Sequence, residues 1–387
     1  ADGTVLRQQM ITEQIGGFGG DLNDNEFFGA SVAGLDDLDG NGVPDLAVGA
    51  ERDADGGDPF FGSNRGAVWI LYLKDDGTIR DQHVISETQG GFNVSLKRKD
   101  HFGSGLASIG DIDGDGIDAR FDDGAGGDFA QRGAVYVLFL NADETVRGSQ
   151  KITGVTGGFE GTLSDDTKFG TSVASLGDVN EDGIPDIAVG TNSTGSADLP
   201  RGHLWTLLLN PDGTVKDQQK VSATEGGFQG ALGEDDNFGF SVAGLADRND
   251  DGVPDLIAGA PGDERDGGGG GAAWILHLDA NGMVKDEQKI SGTKGGFNGT
   301  LRARDRFGSA VADAGDIDGD GTDDLAVGAP FNMDEVGISG GGAAWMLFGE
   351  PPPAPLQISV DETVTVTDVP AVRPPLQISV TETITVN

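Results

Sequence analysis

The sequence contains no cysteine and no long apolar segment. The absence of cysteine among 387 residues excludes disulfide bonds as a source of stability. No stretch reaches the roughly 18 apolar residues that suggest a membrane-spanning helix, so no membrane span is expected. The chain starts with Ala-Asp-Gly and shows no charged and then apolar leader, which for a secreted protein indicates a mature form.

Basic residues are scarce. The chain has 25 Lys and Arg against 65 Asp and Glu, which gives a net charge of −40 at pH 7. Such a surface repels phosphate groups, so nucleic acid and anionic lipid are not expected partners. The acidic excess favours a secreted or cell-surface protein in a calcium-rich or saline medium. No window has a sustained helical period with capping residues, which disfavours a βαβ sheet.

A short acidic loop occurs five times along the chain. The first copy reads Asp37-Leu-Asp39-Gly-Asn41-Gly-Val43-Pro-Asp45, and the later copies begin at Asp111, Asp178, Asp247 and Asp316. Their first residues are 74, 67, 69 and 69 positions apart. Oxygen-bearing side chains at loop positions 1, 3 and 5, followed by a glycine, suit a hard cation such as calcium. A repeat period of this size is typical of a propeller or another repetitive array.

Each repeat unit predicts four strands separated by turn signals. A Gly-Gly-Phe triplet is followed ten residues later by Phe-Gly, a first strand, the acidic loop and a second strand. The third strand, such as Ala67-Val-Trp-Ile-Leu-Tyr-Leu, is apolar on both faces and is expected to lie between two other sheets. An Asp-Gly or Asn-Gly turn then leads to a half-polar fourth strand.

The two ends of the repeat region complement each other. The segment from Thr4 to Thr12 matches a fourth strand, whereas the last unit stops after its third strand at Phe348. We therefore predict an all-β propeller of five four-stranded blades over residues 1–349, closed by the N-terminal strand, which would remove exposed sheet edges. The alternatives are an open array and a fragment of a larger ring.

These residues resemble the FG-GAP repeat, which builds the β-propeller of integrin alpha subunits and of many secreted bacterial proteins. The resemblance lies in Phe-Gly, the acidic loop and the Leu-Ala-Val-Gly-Ala-Pro segment from Leu325 to Pro330, and it extends over about residues 1–349. Integrin propellers have seven blades, so neither blade number nor ligand specificity follows from it.

The resemblance implies one calcium ion in each loop, about five in all. Positions 1, 3, 5 and 9 would supply side-chain oxygens and position 7 a backbone carbonyl. The implied ligands are Asp37, Asp39, Asn41, Val43 and Asp45 in loop 1; Asp111, Asp113, Asp115 and Ile117 in loop 2; Asp178, Asn180, Asp182, Ile184 and Asp186 in loop 3; Asp247, Asn249, Asp251, Val253 and Asp255 in loop 4; and Asp316, Asp318, Asp320, Thr322 and Asp324 in loop 5.

Loop 2 departs from this pattern because its position 9 is Ala119, with Asp118, Asp122 and Asp123 as possible substitutes. An EF-hand is excluded, because it requires a glutamate at position 12 and flanking helices. Without a cation, several carboxylates within nine residues would repel one another. The metal is therefore expected to be structural and to hold the hairpin between the first two strands of each blade.

Other candidate groups point to packing rather than chemistry. The four histidines at 83, 101, 203 and 277 do not pair at metal-ligand spacing, and no Gly-x-Ser-x-Gly elbow surrounds the serines that follow Phe-Gly. The tryptophans recur at one position of the third strand, which favours the core over a sugar platform. No catalytic residue is predicted, although an acidic pair for sugar hydrolysis stays open.

Residues 350–387 form a separate region of different composition. A proline-rich spacer leads to two similar segments, from Leu356 to Val366 and from Leu376 to Val386, with strand alternation. They are interpreted either as a spacer or as strands donated to another copy in a homo-polymer.

We thus expect a calcium-binding structural or adhesive protein, secreted or at the cell surface. The first alternative is a lectin-like or protein-binding module whose partner, a cell-surface protein or glycan, contacts variable loops. The second is a polysaccharide-acting enzyme.

Overall fold

The computed structural model describes residues 8–22, 26–54, 64–113, 132–141, 143–192, 201–265, 269–332 and 342–349, together with the backbone of 120–123. All of them belong to the first of the two units into which the chain divides, 1–351 and 352–387. The described residues contain strands and turns and no helix, and therefore none long and apolar enough to cross a bilayer. The prediction of an all-β chain is confirmed.

In the described part of the chain, nineteen strands form five antiparallel sheets, each in sequence order. The first sheet contains β1 (Phe28–Gly34), β2 (Leu46–Ala50), β3 (Ala67–Leu73) and β4 (Ile79–Ile85). The second contains β5 (Leu106–Ser108), β6 (Arg120–Asp123), β7 (Val135–Leu140) and β8 (Val146–Ile152). The third contains β9 (Ser172–Gly177), β10 (Asp186–Gly190), β11 (Leu204–Leu209) and β12 (Val215–Val221). The fourth contains β13 (Val242–Leu245), β14 (Asp255–Ala260), β15 (Ala272–Leu278) and β16 (Val284–Ser291), and the fifth contains β17 (Ala310–Gly315), β18 (Asp324–Ala329) and β19 (Ala343–Leu347).

The sheets are arranged as the blades of a propeller. The first strands of consecutive sheets contact one another, and all five contribute residues to one central cavity of about 580 Å³. Parallel bridges join a glycine one or two residues before the third strand of each of the first four sheets to the phenylalanine of the next Phe-Gly, as in Gly202 to Phe238. The third strands of the first four sheets are almost completely buried, because apolar side chains fill the space between adjacent sheets.

An aromatic cluster repeats in every unit. In the fourth unit, the ring of Phe228 lies 4.9 Å from that of Phe238 and 5.0 Å from that of Trp274. A Cβ atom at Gly230 would lie 2.4 Å from Phe228 and 2.7 Å from Trp274, so only glycine fits beside the indole. The other units with tryptophan also have glycine at this position: Gly20 with Trp69, Gly161 with Trp205, and Gly299 with Trp345.

The second unit has different residues at the tryptophan and glycine positions of this cluster. Tyr136 replaces the tryptophan, and Val94 stands where the other units have glycine. Both side chains belong to the cluster between the first and second sheets. The smaller phenol ring leaves room for a branched side chain, so the two positions change together.

The prediction of five four-stranded blades was wrong in number. Among the described residues, four blades have four strands, and the fifth sheet has the three strands β17–β19. Beyond β19 the chain enters the proline-rich stretch at Pro351, which lacks the N–H groups that a fourth strand would need.

Closure by the N-terminal strand is not confirmed. Residues 1–7 lie outside the described residues, and residues 8–12 form only an isolated bridge from Thr12 to Ile15. Val32 on β1 is 61% exposed, whereas Val242, at the same position of β13, is buried. Met346 on β19 is 39% exposed. The predicted strands in 350–387 also lie outside the part of the chain that is described.

Candidate metal-binding loops

Each acidic loop connects the first and second strands of its sheet. The loops at 37–45, 178–186, 247–255 and 316–324 are described in full, and the loop at 111–119 only to Asp113. Because the first strands of consecutive sheets contact one another, topology places the described loops on one rim of the propeller. The predicted loop positions are thus brought to one side of the molecule.

The aspartate at position 1 holds each loop in its turn. In loop 1, the Asp37 carboxylate accepts hydrogen bonds from the backbone N–H groups of Asn41 (2.9 Å) and Gly42 (2.6 Å). The same pair of bonds is made by Asp178, Asp247 and Asp316 in their own loops. Gly42 has a positive φ of 85°, which glycine adopts without strain.

Carboxylate oxygens converge in loops 1 and 5, which have an aspartate at position 3. Oxygen atoms of Asp37, Asp39 and Asp45 lie within 4.8 Å of one another, as do those of Asp316, Asp318 and Asp320. Loops 3 and 4 have asparagine at position 3, so their third oxygen belongs to an amide. This set of carboxylate and amide oxygens fits calcium.

In two loops, a side-chain oxygen at position 3 accepts no hydrogen bond from the described residues. The Oδ1 atoms of Asp113 and Asn180 are buried and accept no hydrogen bond within the described part of the chain. Buried polar oxygens normally accept a hydrogen bond. A buried loop oxygen that has no donor points to a bound ion or water. The arrangement therefore fits a cation in loops 2 and 3 as well.

The aspartate at position 9 has a role that the sequence did not reveal. Asp186 is fully buried, and its two oxygens accept hydrogen bonds from the backbone N–H groups of Leu209 (2.9 Å) and Val179 (3.1 Å). It therefore ties its loop to the end of the third strand. Matching bonds are made by Asp45, Asp255 and Asp324. Burial raises the pKa of Asp186 to about 7 and also raises that of Asp45.

Basic side chains from the fourth strands reach the loops, which the sequence analysis also missed. Lys216 Nζ lies 2.6 Å from Asp182 Oδ2, and Lys285 pairs with Asp251, whose pKa is lowered by that hydrogen bond. In the first two blades an arginine takes this place: Arg80 on Asp39 and Arg147 on Asp113. The signal in the sequence was a basic residue three positions after the turn residue, which is Gly77, Glu144, Gly213 or Gly282.

Loop 2 remains the least defined of the five. Asp115 and Ile117 lie outside the described residues, as does Asp118, and only the backbone is given for Asp122 and Asp123. The segment that replaces Leu-Ala-Val-Gly still forms β6 and pairs with β5 and β7. Whether these acids substitute at position 9 stays a prediction.

The remaining candidates have packing partners. Ser31 and Ser241 donate hydrogen bonds to the carbonyl groups of Gly103 and Gly308 in the next unit. His203 is fully buried beside Thr191, and burial lowers its pKa to about 3. Trp69, Trp205 and Trp274 are buried in the core. Most of the variable loops between the second and third strands lie outside the described residues.

Together, the fold and the loops define a β-propeller whose acidic hairpin loops recur once per unit. A family model for the FG-GAP repeat matches residues 28–71, 169–199 and 307–347. Among curated proteins, integrin alpha-3 of Cricetulus griseus is 31% identical over 200 residues, which are 50% of this chain and 17% of that protein. Integrin alpha-11 of Homo sapiens is 33% identical over 42% of this chain and 13% of its own length.

Integrin alpha pat-2 of Caenorhabditis briggsae is 30% identical over 275 residues, which are 68% of this chain and 21% of that protein. The chain therefore carries FG-GAP repeats like those of integrin alpha subunits, as its motifs predicted. It spans about a fifth or less of the length of these relatives. A solved structure of BBS1N in complex with ARL6DN matches with a TM-score of 0.36 and 11% identity over 78% of this chain and 62% of that chain, which is too weak to bear on the fold.

Proposed function

We propose that this chain is a calcium-stabilised adhesion or protein-binding propeller that works outside the cell. The observation that carries the proposal is the convergence of loop oxygens, as in Asp316, Asp318 and Asp320, in a chain that carries FG-GAP repeats. Side-chain oxygens at positions 1, 3, 5 and 9 and the backbone carbonyl at position 7 would hold each ion. Calcium would supply positive charge that neutralises the loop and fixes the hairpin.

The extracellular location is supported by the chemistry of the loops. Loops 3 and 4 each replace one carboxylate with asparagine, which reduces the negative charge available to a cation. Calcium sites in extracellular modules typically have dissociation constants of about 10⁻⁴–10⁻³ M, and such sites fill only where calcium is abundant. The net charge of −40 fits the same setting.

Calcium removal tests the proposal. At calcium concentrations about 100 times the dissociation constant, each independent site adds about 2.7 kcal/mol to the free energy of unfolding. Thermal denaturation followed by tryptophan fluorescence should therefore show a large fall of the melting temperature in excess chelator and recovery when calcium is restored. Magnesium at the same concentration is the control. An identical melting temperature with calcium and with chelator would reject the calcium role.

Assembly through a donated strand is the second candidate. Among the described residues, β19 pairs only with β18, and Met346 and Phe348 beside that edge are 39% and 52% exposed. An exposed strand edge accepts another strand readily. We propose that the segments from Leu356 to Val366 and from Leu376 to Val386 of a second copy occupy such an edge. Light scattering of the full chain and of a chain ending at residue 350 tests this, since equal molar masses per chain would refute it.

A further inference from the structure

One basic side chain per complete blade contacts the acidic loop of the same blade. These residues are Arg80, Arg147, Lys216 and Lys285. We propose that each is a built-in counterion, which neutralises the loop of the metal-free protein and weakens its affinity for calcium. The inference rests on the proposed calcium function, and it concerns how the affinity of each loop is set.

The lysine contacts show why a bound calcium ion and the basic side chain compete. Both oxygens of Asp182 are engaged, because Oδ1 accepts a hydrogen bond from the N–H of Ile184 (2.9 Å) and Oδ2 lies 2.6 Å from Lys216 Nζ. A cation that uses Asp182 must displace the ammonium group or share its oxygen. The fourth blade repeats the arrangement with Lys285, Asp251 and the N–H of Val253.

The arginines contact the aspartate at loop position 3, whereas the lysines contact the aspartate at position 5. Arg147 Nη2 lies 2.5 Å from Asp113 Oδ2, while the Oδ1 atom of Asp113 is buried and accepts no hydrogen bond in the described chain. Arg80 pairs with Asp39, the position-3 acid of loop 1. The guanidinium group thus occupies one oxygen of a carboxylate that is a predicted calcium ligand.

The position of these residues in the repeat is constant. Each follows a buried branched residue at the start of the fourth strand, as Lys216 follows Val215. Because neighbouring side chains of a strand point to opposite faces, the basic group is directed away from the buried residue. Its recurrence in four blades, as either lysine or arginine, indicates that the positive charge is what the position requires.

Loop 5 provides a natural comparison within the same chain. Within the described residues, no lysine or arginine lies at ion-pair distance from Asp316, Asp318 or Asp320. The N-terminal segment that matches a fourth strand in sequence has Leu6 at this position. Loop 5 also keeps carboxylates at positions 1, 3 and 5. It should therefore bind calcium more tightly than loops 3 and 4.

The test removes one counterion from the full-length chain. Lys216→Met takes away the charge over loop 3, and Lys220→Met is the matched control, because Lys220 lies on the same strand but pairs with Glu225. Calcium is titrated into each protein by calorimetry, and urea unfolding is measured in excess chelator. Circular dichroism confirms that both variants are folded.

The inference predicts opposite effects on the two measurements. One calcium site of Lys216→Met should bind about three- to tenfold more tightly than in the unaltered protein. The same variant should unfold at a lower urea concentration in chelator, because its loop carboxylates have lost their counterion. Lys220→Met should change the calcium affinity by less than about twofold, since the charge it removes pairs with Glu225 and lies four residues further along the strand than Lys216.

The outcomes separate this inference from the proposed function. If the unaltered protein takes up calcium but Lys216→Met shows the same affinities as Lys220→Met, the counterion role is refuted and calcium binding stands. If no variant takes up calcium, the proposed function fails and this inference fails with it.

Discussion

The buried aspartate at position 9 should stabilise the blade whether or not metal is present. Asp186 accepts hydrogen bonds from the N–H groups of Leu209 and Val179 inside the protein. Asp186→Ala leaves both donors without an acceptor. Each unsatisfied buried group costs about 1–3 kcal/mol, so the loss should be about 4 kcal/mol. Asp186→Asn keeps one acceptor oxygen and should lose about 2 kcal/mol.

Equilibrium urea unfolding in excess chelator measures this loss. Trp205 lies in the same sheet and is buried, so its fluorescence reports on the third blade. Asp217→Ala is the control, because Asp217 is exposed on β12 of the same blade and, within the described residues, its side chain accepts a hydrogen bond only from the adjacent Gln218 N–H. That variant makes the same aspartate-to-alanine change and should alter the free energy of unfolding by less than about 0.5 kcal/mol.

Chelator is essential to the design, because Asp186 is also a predicted calcium ligand. If the carboxylate acted only on the ion, Asp186→Ala and Asp217→Ala would have equal stability once calcium is removed. That result would refute the structural role given to the position-9 aspartates. A loss of about 4 kcal/mol in chelator, with a further loss in calcium, is the expected pattern.

Two further predictions concern the core. Gly230→Val should destabilise the fourth blade by about 3 kcal/mol because the new side chain overlaps Trp274, and adding Trp274→Tyr should recover part of that loss, as the natural pair Val94 and Tyr136 suggests. Urea unfolding of the single and double variants measures the coupling, and simple additivity would contradict it. His203 should make stability depend on pH, because its folded pKa of about 3 lies below the usual value near 6.5. Its contribution is complete above pH 6.5 and falls as the pH drops, so between pH 7 and pH 5 the unaltered protein should lose about 2 kcal/mol more than His203→Ala, and parallel losses would refute this.

Most of the fold could be predicted from the repeat in the sequence. Turn residues and apolar third strands such as Ala67–Leu73 predicted four strands per unit, and β1–β16 follow that order. The sequence could not show that the last sheet would have three strands. A fourth strand for β19 must come from a distant segment, and a matching pattern such as Thr4 to Thr12 does not settle where that segment pairs.

The loops were predictable in position but only partly in chemistry. Spacing identified the oxygen-bearing residues, since positions 1, 3 and 5 lie close together in any tight turn. It did not show that Asp186 would be buried against Leu209, because that contact joins residues 23 positions apart. The pairing of Lys216 with Asp182 was missed for the same reason, since it depends on how the fourth strand is placed beside the loop.

A crystal structure of the protein grown in calcium would test the central claim most directly. Anomalous scattering identifies calcium without reference to the protein atoms. The account predicts a peak in each described loop, among the oxygens of positions 1, 3 and 5, with Lys216 and Lys285 turned away from their aspartates. Loops without a peak, and with these lysines still paired to Asp182 and Asp251, would contradict it.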